Sequence, residues 1–135
     1  MTVDSVTEQP GIFRQVVSVG AHTLYADVAH ALGGQDSAPG AHEYFDLSLA
    51  ACKTLTAHIY ARKHKIALER IEAHIERDST REREGIYVLH VRLAYFGPLS
   101  DEEKQQIHDA LVRCPIHKLM TTATITIDTA PLGAP

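Results

Sequence analysis

The sequence has no excess of positive charge, no long apolar run, no basic-then-apolar leader and very little cysteine. Each absence excludes something. Thirteen Lys and Arg against seventeen Asp and Glu leave a net charge of −4, which excludes a nucleic-acid partner held by phosphate neutralisation. No stretch approaches the ~20 apolar residues of a membrane helix, so no membrane partner is expected. The opening MTVDSVTEQPG carries neither half of a secretory leader, and a cytoplasmic chain is expected. There is no CxxC, no HExxH and no GxGxxG, which removes zinc-ribbon, zincin and dinucleotide readings. The nine histidines are scattered. Cys114 and His117 have an i, i+3 spacing, but two ligands do not make a metal site, so neither a metal nor another cofactor is expected.

What is there is the composition of an ordinary soluble globule, 44% hydrophobic and 22% charged over 135 residues. That length suits one domain, taken as residues 1–135, with a core that needs no staples. Residues 12–19 and 22–28 are short β-branched runs, and Gly20-Ala21 between them suits a type II′ hairpin turn. The Gly-, Ser- and Pro-rich text from Ala31 to Ala41 predicts a bent connection. A helix is predicted from about His42 to Lys65, with Phe45, Leu49, Cys52, Leu55 or Thr56, and Ile59 on one apolar stripe. Acid in its first turn and base in its last suit the helix dipole.

Ile71, Ala73 and Ile75 alternate with Glu72, His74 and Glu76, which predicts a half-buried strand, and residues 87–96 alternate over a longer one. The charged run 77–85 reads as the turn between them. Ser100 and Glu103 form a capping box that opens a second helix, whose apolar face continues through Ile107, Leu111 and Cys114. Pro115 places Cys114 at or near that helix's C-terminal end. Residues 116–121 suit a short extra turn, Ala123 to Thr129 a last strand, and the closing PLGAP a frayed tail. The order β-β-α-β-β-α-β defines an α+β fold: a largely antiparallel sheet with two main helices packed on one face.

Cys52 and Cys114 are the only cysteines. One reading makes them two small buried hydrophobes, since free cysteine is among the most buried residue types. The other makes them chemical, because a cytosolic disulfide is usually transient. Packing the two helices together over the sheet would allow the thiols to meet, which sequence spacing alone does not establish.

The flanking residues favour the second reading. The loop-to-helix run PGAHEYFDLSLAAC ending at Cys52 and the CPIH beginning at Cys114, about 60 residues later, resemble the osmotically inducible protein C and organic hydroperoxide resistance (OsmC/Ohr) family. The runs YARKHKIALERIE and LSDEE resemble its OsmC-like branch, and the likeness spans roughly Ala31 to Ile127. The resemblance implies a thiol peroxidase of organic hydroperoxides that works as an intertwined homodimer and is reset by a dithiol reductant. In that reading Cys52 is the peroxidatic cysteine, Cys114 the resolving cysteine, and Glu43 the acid at the helix start. Family members use an Arg to stabilise the thiolate. This chain has none between His30 and Ala41, which leaves Arg14, Arg62, Arg113 and His117 as candidates. The alternative from another class is a non-catalytic binding protein of the same fold, or a redox sensor, for a small apolar ligand.

Overall fold

The computed structural model describes residues 1–133. The chain divides into two compact units, one made of Met1–Ser48 with Ile75–His90, the other of Leu49–His74 with the chain from Val91 onward.

The first unit begins with three antiparallel strands, β1 (Val3–Thr7), β2 (Gln15–Val19) and β3 (His22–Ala26), in that order across the sheet. Val19 pairs with His22, so Gly20-Ala21 is a two-residue hairpin turn as predicted. Gly20 takes φ +56°, the left-handed conformation that a type II′ turn needs at its first central position. β1 is a strand that the sequence reading did not anticipate. It is exposed along its whole length and has only two apolar residues, so it is held by its ladder with β2, from Val3↔Val19 to Thr7↔Gln15.

Past the sheet, Asp27 organises the bent connection. Its buried carboxylate accepts from the Ser37 hydroxyl (2.6 Å) and from the backbone amides of Ser37 (3.1 Å), Val28 (2.8 Å) and Gln35 (3.3 Å). These bonds, the Ser37 hydroxyl foremost, outweigh burial and lower its pKa from 3.8 to about 2. A carboxylate whose folded pKa is depressed adds stability that is complete above its unfolded pKa and lost as pH falls through the folded one. The urea midpoint of the protein is therefore expected to drop as pH falls from about 4 towards about 2. Asp27→Asn should lower the midpoint at neutral pH and flatten its dependence over that window; an unchanged acid profile would contradict the assignment.

The long helix α1 (Ala41–Lys63) starts in the first unit and continues in the second. It stops two residues short of the predicted end because Lys65 turns left-handed at φ +56° and the Ile66 amide bonds back to the Ala61 carbonyl at 2.8 Å. Its buried row is Leu49, Lys53, Ala57 and Ala61, a strict i, i+4 series. The predicted stripe is thereby corrected: Phe45, Leu55 and Ile59 are 47%, 63% and 69% exposed, and Cys52 is half-buried.

Strands β4 (Arg70–Asp78) and β5 (Val88–Phe96) form a two-stranded sheet, with the Glu69 amide at one end bonding the Phe96 carbonyl at 3.0 Å. Their alternation is as read: Ile71 is buried, while His74, His90 and Arg92 are exposed. The second unit's core joins Ala57, Ala61, Ile66 and Ile71 to Ile107 and Leu111 of α2 (Asp101–Leu111). Ile107 and Leu111 are fully buried, and each contributes about 1.5–3 kcal/mol through burial. The capping box is present, with the Glu103 amide on Ser100 Oγ (3.1 Å) and the Ser100 amide on Glu103 Oε1 (3.0 Å).

The class is thus α+β with antiparallel sheets and two main helices, with two corrections towards the C-terminus. Cys114 does not continue α2, which ends at Leu111; it is the N-cap of a further short helix, α3 (Pro115–Thr121). The cause is Pro115, which disfavours helical backbone at the preceding residue and is itself well suited to a first helical position. Residues 123–129 form no strand in the single chain, and Ile125 and Ile127 are 63% and 83% exposed. The fraying predicted for PLGAP falls in part outside the described residues.

Candidate dithiol site

Both cysteines lie in the second unit, and both are free thiols. α1 carries Cys52 halfway along its length, and the break between α2 and α3 carries Cys114, which is 2% exposed. Two residues past Cys114, the Ile116 amide donates to Cys52 Sγ at 3.4 Å, and the Thr56 hydroxyl, one helical turn past Cys52, lies 3.7 Å away. Burial by itself pushes the Cys52 thiol up, because it penalises the thiolate. The Ile116 amide, the Thr56 hydroxyl, the Cys114 thiol and the charge of Lys53 together overcome it and hold the pKa below its ordinary value.

Lys53 is the residue that the sequence reading missed. Its side chain is 4% exposed, and its ammonium donates to the Leu111 carbonyl and, at 3.4 Å, to the Val112 carbonyl, where α2 ends. The available signal was a lysine spaced four residues from both Leu49 and Ala57, and so on the buried row of α1.

The four predicted partners of the thiolate are placed otherwise. Arg14, in the first unit, donates to Glu8 (3.1 Å) and Ser37 (3.0 Å), with its guanidinium 4.1 Å from the centre of the Tyr25 ring. Arg62 and Arg113 are exposed, and His117 is half-buried on α3. Among the described residues, the charge that acts on Cys52 is that of Lys53. Glu43 lies in the first unit, exposed, 3.5 Å from Arg77. Arg77 is bound more tightly by Asp46 (2.6 Å), which also accepts from the Tyr87 hydroxyl (2.7 Å). Glu43 also lines an open cleft of about 520 Å³ with Asp36, Ser37, Ala38, Pro39 and Leu47. Among the described residues no three His, Cys, Asp or Glu side chains gather as metal ligands, and no helix is long and apolar enough to cross a membrane.

The chain is thus an α+β fold with two free cysteines, Cys52 on α1 and Cys114 at the start of α3, in one unit. A family model described as OsmC-like protein matches residues 34–130, and the chain belongs to that family. Among solved structures it is similar to an osmotic stress induced and detoxification response protein of Psychrobacter arcticus, with a TM-score of 0.75 at 16% identity over 90% of this chain and 89% of that one. It is also similar to an organic hydroperoxide resistance protein of Legionella pneumophila (TM-score 0.60, 20% identity, 90% of each chain). A third, the organic hydroperoxide resistance protein of Bacillus subtilis, has a TM-score of 0.57 at 20% identity over 90% of this chain and 92% of that one. No curated protein matches the chain.

Proposed function

We propose that this protein is a cytoplasmic, cysteine-based peroxidase that reduces organic hydroperoxides. The observation that carries the reading is the acidified Cys52 thiol, bonded at 3.4 Å by the Ile116 amide two residues past Cys114. The names of the Legionella and Bacillus proteins agree with it. Cys52 gives up its proton, and the thiolate attacks the outer oxygen of ROOH. The O–O bond breaks, RO⁻ leaves and takes a proton as ROH, and Cys52 becomes sulfenic acid. The Cys114 sulfur then attacks the Cys52 sulfur; hydroxide leaves as water with the Cys114 proton, and a disulfide forms. A dithiol reductant returns both thiols by exchange and is itself oxidised to a disulfide. Glu43 enters the proposal on its position at the start of α1, where the resemblance puts the family's acid. Residues 1–135 act as one functional domain, with no cofactor. The test is steady-state loss of an organic hydroperoxide with a dithiol present. Consumption no faster than in Cys52→Ser would leave the binding or sensing reading instead.

The working unit in this proposal is a homodimer. Within the second unit, Leu55 and Ile59 present an uncovered apolar row on α1, and the alternating Ile125 and Ile127 have no strand to pair with. A second copy would cover both kinds of surface, in an interface of roughly 2,000 Å² or more. Light scattering at micromolar concentration is expected to give twice the chain mass, and a monomer mass would contradict the assignment.

A further inference from the structure

Lys53 carries a charge into the interior of the second unit, on a row where leucine and alanine otherwise stand. Burying an ammonium is costly unless it finds strong partners. A methionine would fill the same row without that cost, so packing does not account for the lysine. Its partners are the Leu111 and Val112 carbonyls, at the helix end where unsatisfied carbonyls carry partial negative charge. Arg113 then leads directly to Cys114, and two residues further on is the amide that bonds Cys52 Sγ. One side chain thus fastens α1, next to Cys52, to the segment that delivers both the second thiol and the donor to the sulfur.

We propose that Lys53 is the positioning residue of the dithiol site: its ammonium fastens the 111–112 carbonyls to α1, holding the Cys114 segment and the Ile116 amide against Cys52. The inference rests on the dithiol reading of the site and extends it to a residue outside the cysteine motifs. Beside that geometry, the charge of Lys53 also pulls the Cys52 thiol down, an electrostatic role that supports the positioning one. The titratable groups acting on that sulfur are Lys53 from its own helix and Cys114 from the start of α3; Thr56 and the Ile116 amide are neutral.

The test compares the full-length native protein with Lys53→Met, which loses charge and donor, and Lys53→Gln, which keeps a donor without charge. Native folding is verified by near-ultraviolet circular dichroism. Two quantities are read: the pH midpoint of Cys52 alkylation by iodoacetamide, followed by peptide mass spectrometry, and the rate of Cys52–Cys114 disulfide formation with one equivalent of diamide. Diamide takes two hydrogens from the thiols and becomes the hydrazine. Lys53→Met should raise the alkylation midpoint and slow disulfide formation by a larger factor than the loss of thiolate accounts for. Lys53→Gln should keep the raised midpoint but recover closure to the rate that its remaining thiolate allows. A native midpoint in either folded variant overturns the electrostatic role. Native closure in Lys53→Met overturns the positioning role, and should Lys53→Met not fold, the Lys53→Gln midpoint decides. Neither measurement uses a hydroperoxide, so absent turnover in the native protein would defeat the peroxidase reading and leave both measurements standing.

Discussion

Cys52→Ser is expected to bring organic hydroperoxide consumption down to the rate of peroxide and dithiol alone, a loss on the order of 10³-fold or more. Serine has nearly the same size, so the α1 packing around Leu49, Lys53 and Ala57 should persist. What disappears is the nucleophile. An ordinary thiol is only a few per cent thiolate at neutral pH. At Cys52 the Ile116 amide, Thr56, Cys114 and Lys53 outweigh the cost of burial and increase that fraction. A hydroxyl in the same place stays protonated, because its pKa lies far above any these neighbours can reach. Peroxide loss in the variant at more than a few per cent of the native rate would move the chemistry away from Cys52.

The second large effect is expected from Cys114→Ser, and it should separate the first turnover from the rest. Attack on the O–O bond needs the Cys52 thiolate, so one equivalent of hydroperoxide should still be consumed. Resolution needs a second sulfur, and in the proposed cycle Cys114 supplies it from its place between α2 and α3. Without it Cys52 should stop at sulfenic acid or climb to sulfinic acid as more peroxide is added. Steady-state turnover with the dithiol should fall steeply, while single-turnover consumption stays near native. An equal loss of both would show that the part Cys114 plays in the Cys52 thiolate, and not its role in resolution, governs the rate.

Much of this was legible in the sequence because the informative elements have strong local signals. The Ser100/Glu103 capping box, the Gly20-Ala21 turn and the alternation on β4 and β5 are local chemistry, and each is where the sequence puts it. β1 was missed because a short exposed edge strand is held by its neighbour and needs no pattern of its own. The stripe on α1 was misread for a physical reason. Periodicity finds an apolar face but does not say what covers it, and here Leu55 and Ile59 face outward while a lysine takes an interior place. Residues 123–129 repeat the lesson, since their alternation is real but the chain alone offers them no ladder.

The site was partly legible. Both cysteines were identifiable from their contexts, and both lie in the second unit, with the Ile116 amide beside Cys114 bonded to the Cys52 sulfur. Glu43 was also singled out, but the structure shows it in the first unit, paired with Arg77. The search for a stabilising charge went to arginines and histidines. The structure instead shows Lys53, whose relation to the site depends on where α2 ends, a tertiary fact that spacing does not encode.

The most direct measurement of the central claim is intact-protein and peptide mass spectrometry after titration of the reduced native protein with one equivalent of an organic hydroperoxide. The expected product has lost two hydrogens, carries a Cys52–Cys114 cross-link and returns to the dithiol on addition of a dithiol reductant. Sulfinic acid on Cys52 with no cross-link at any stage, or two unmodified cysteines with the hydroperoxide intact, would contradict the two-cysteine cycle.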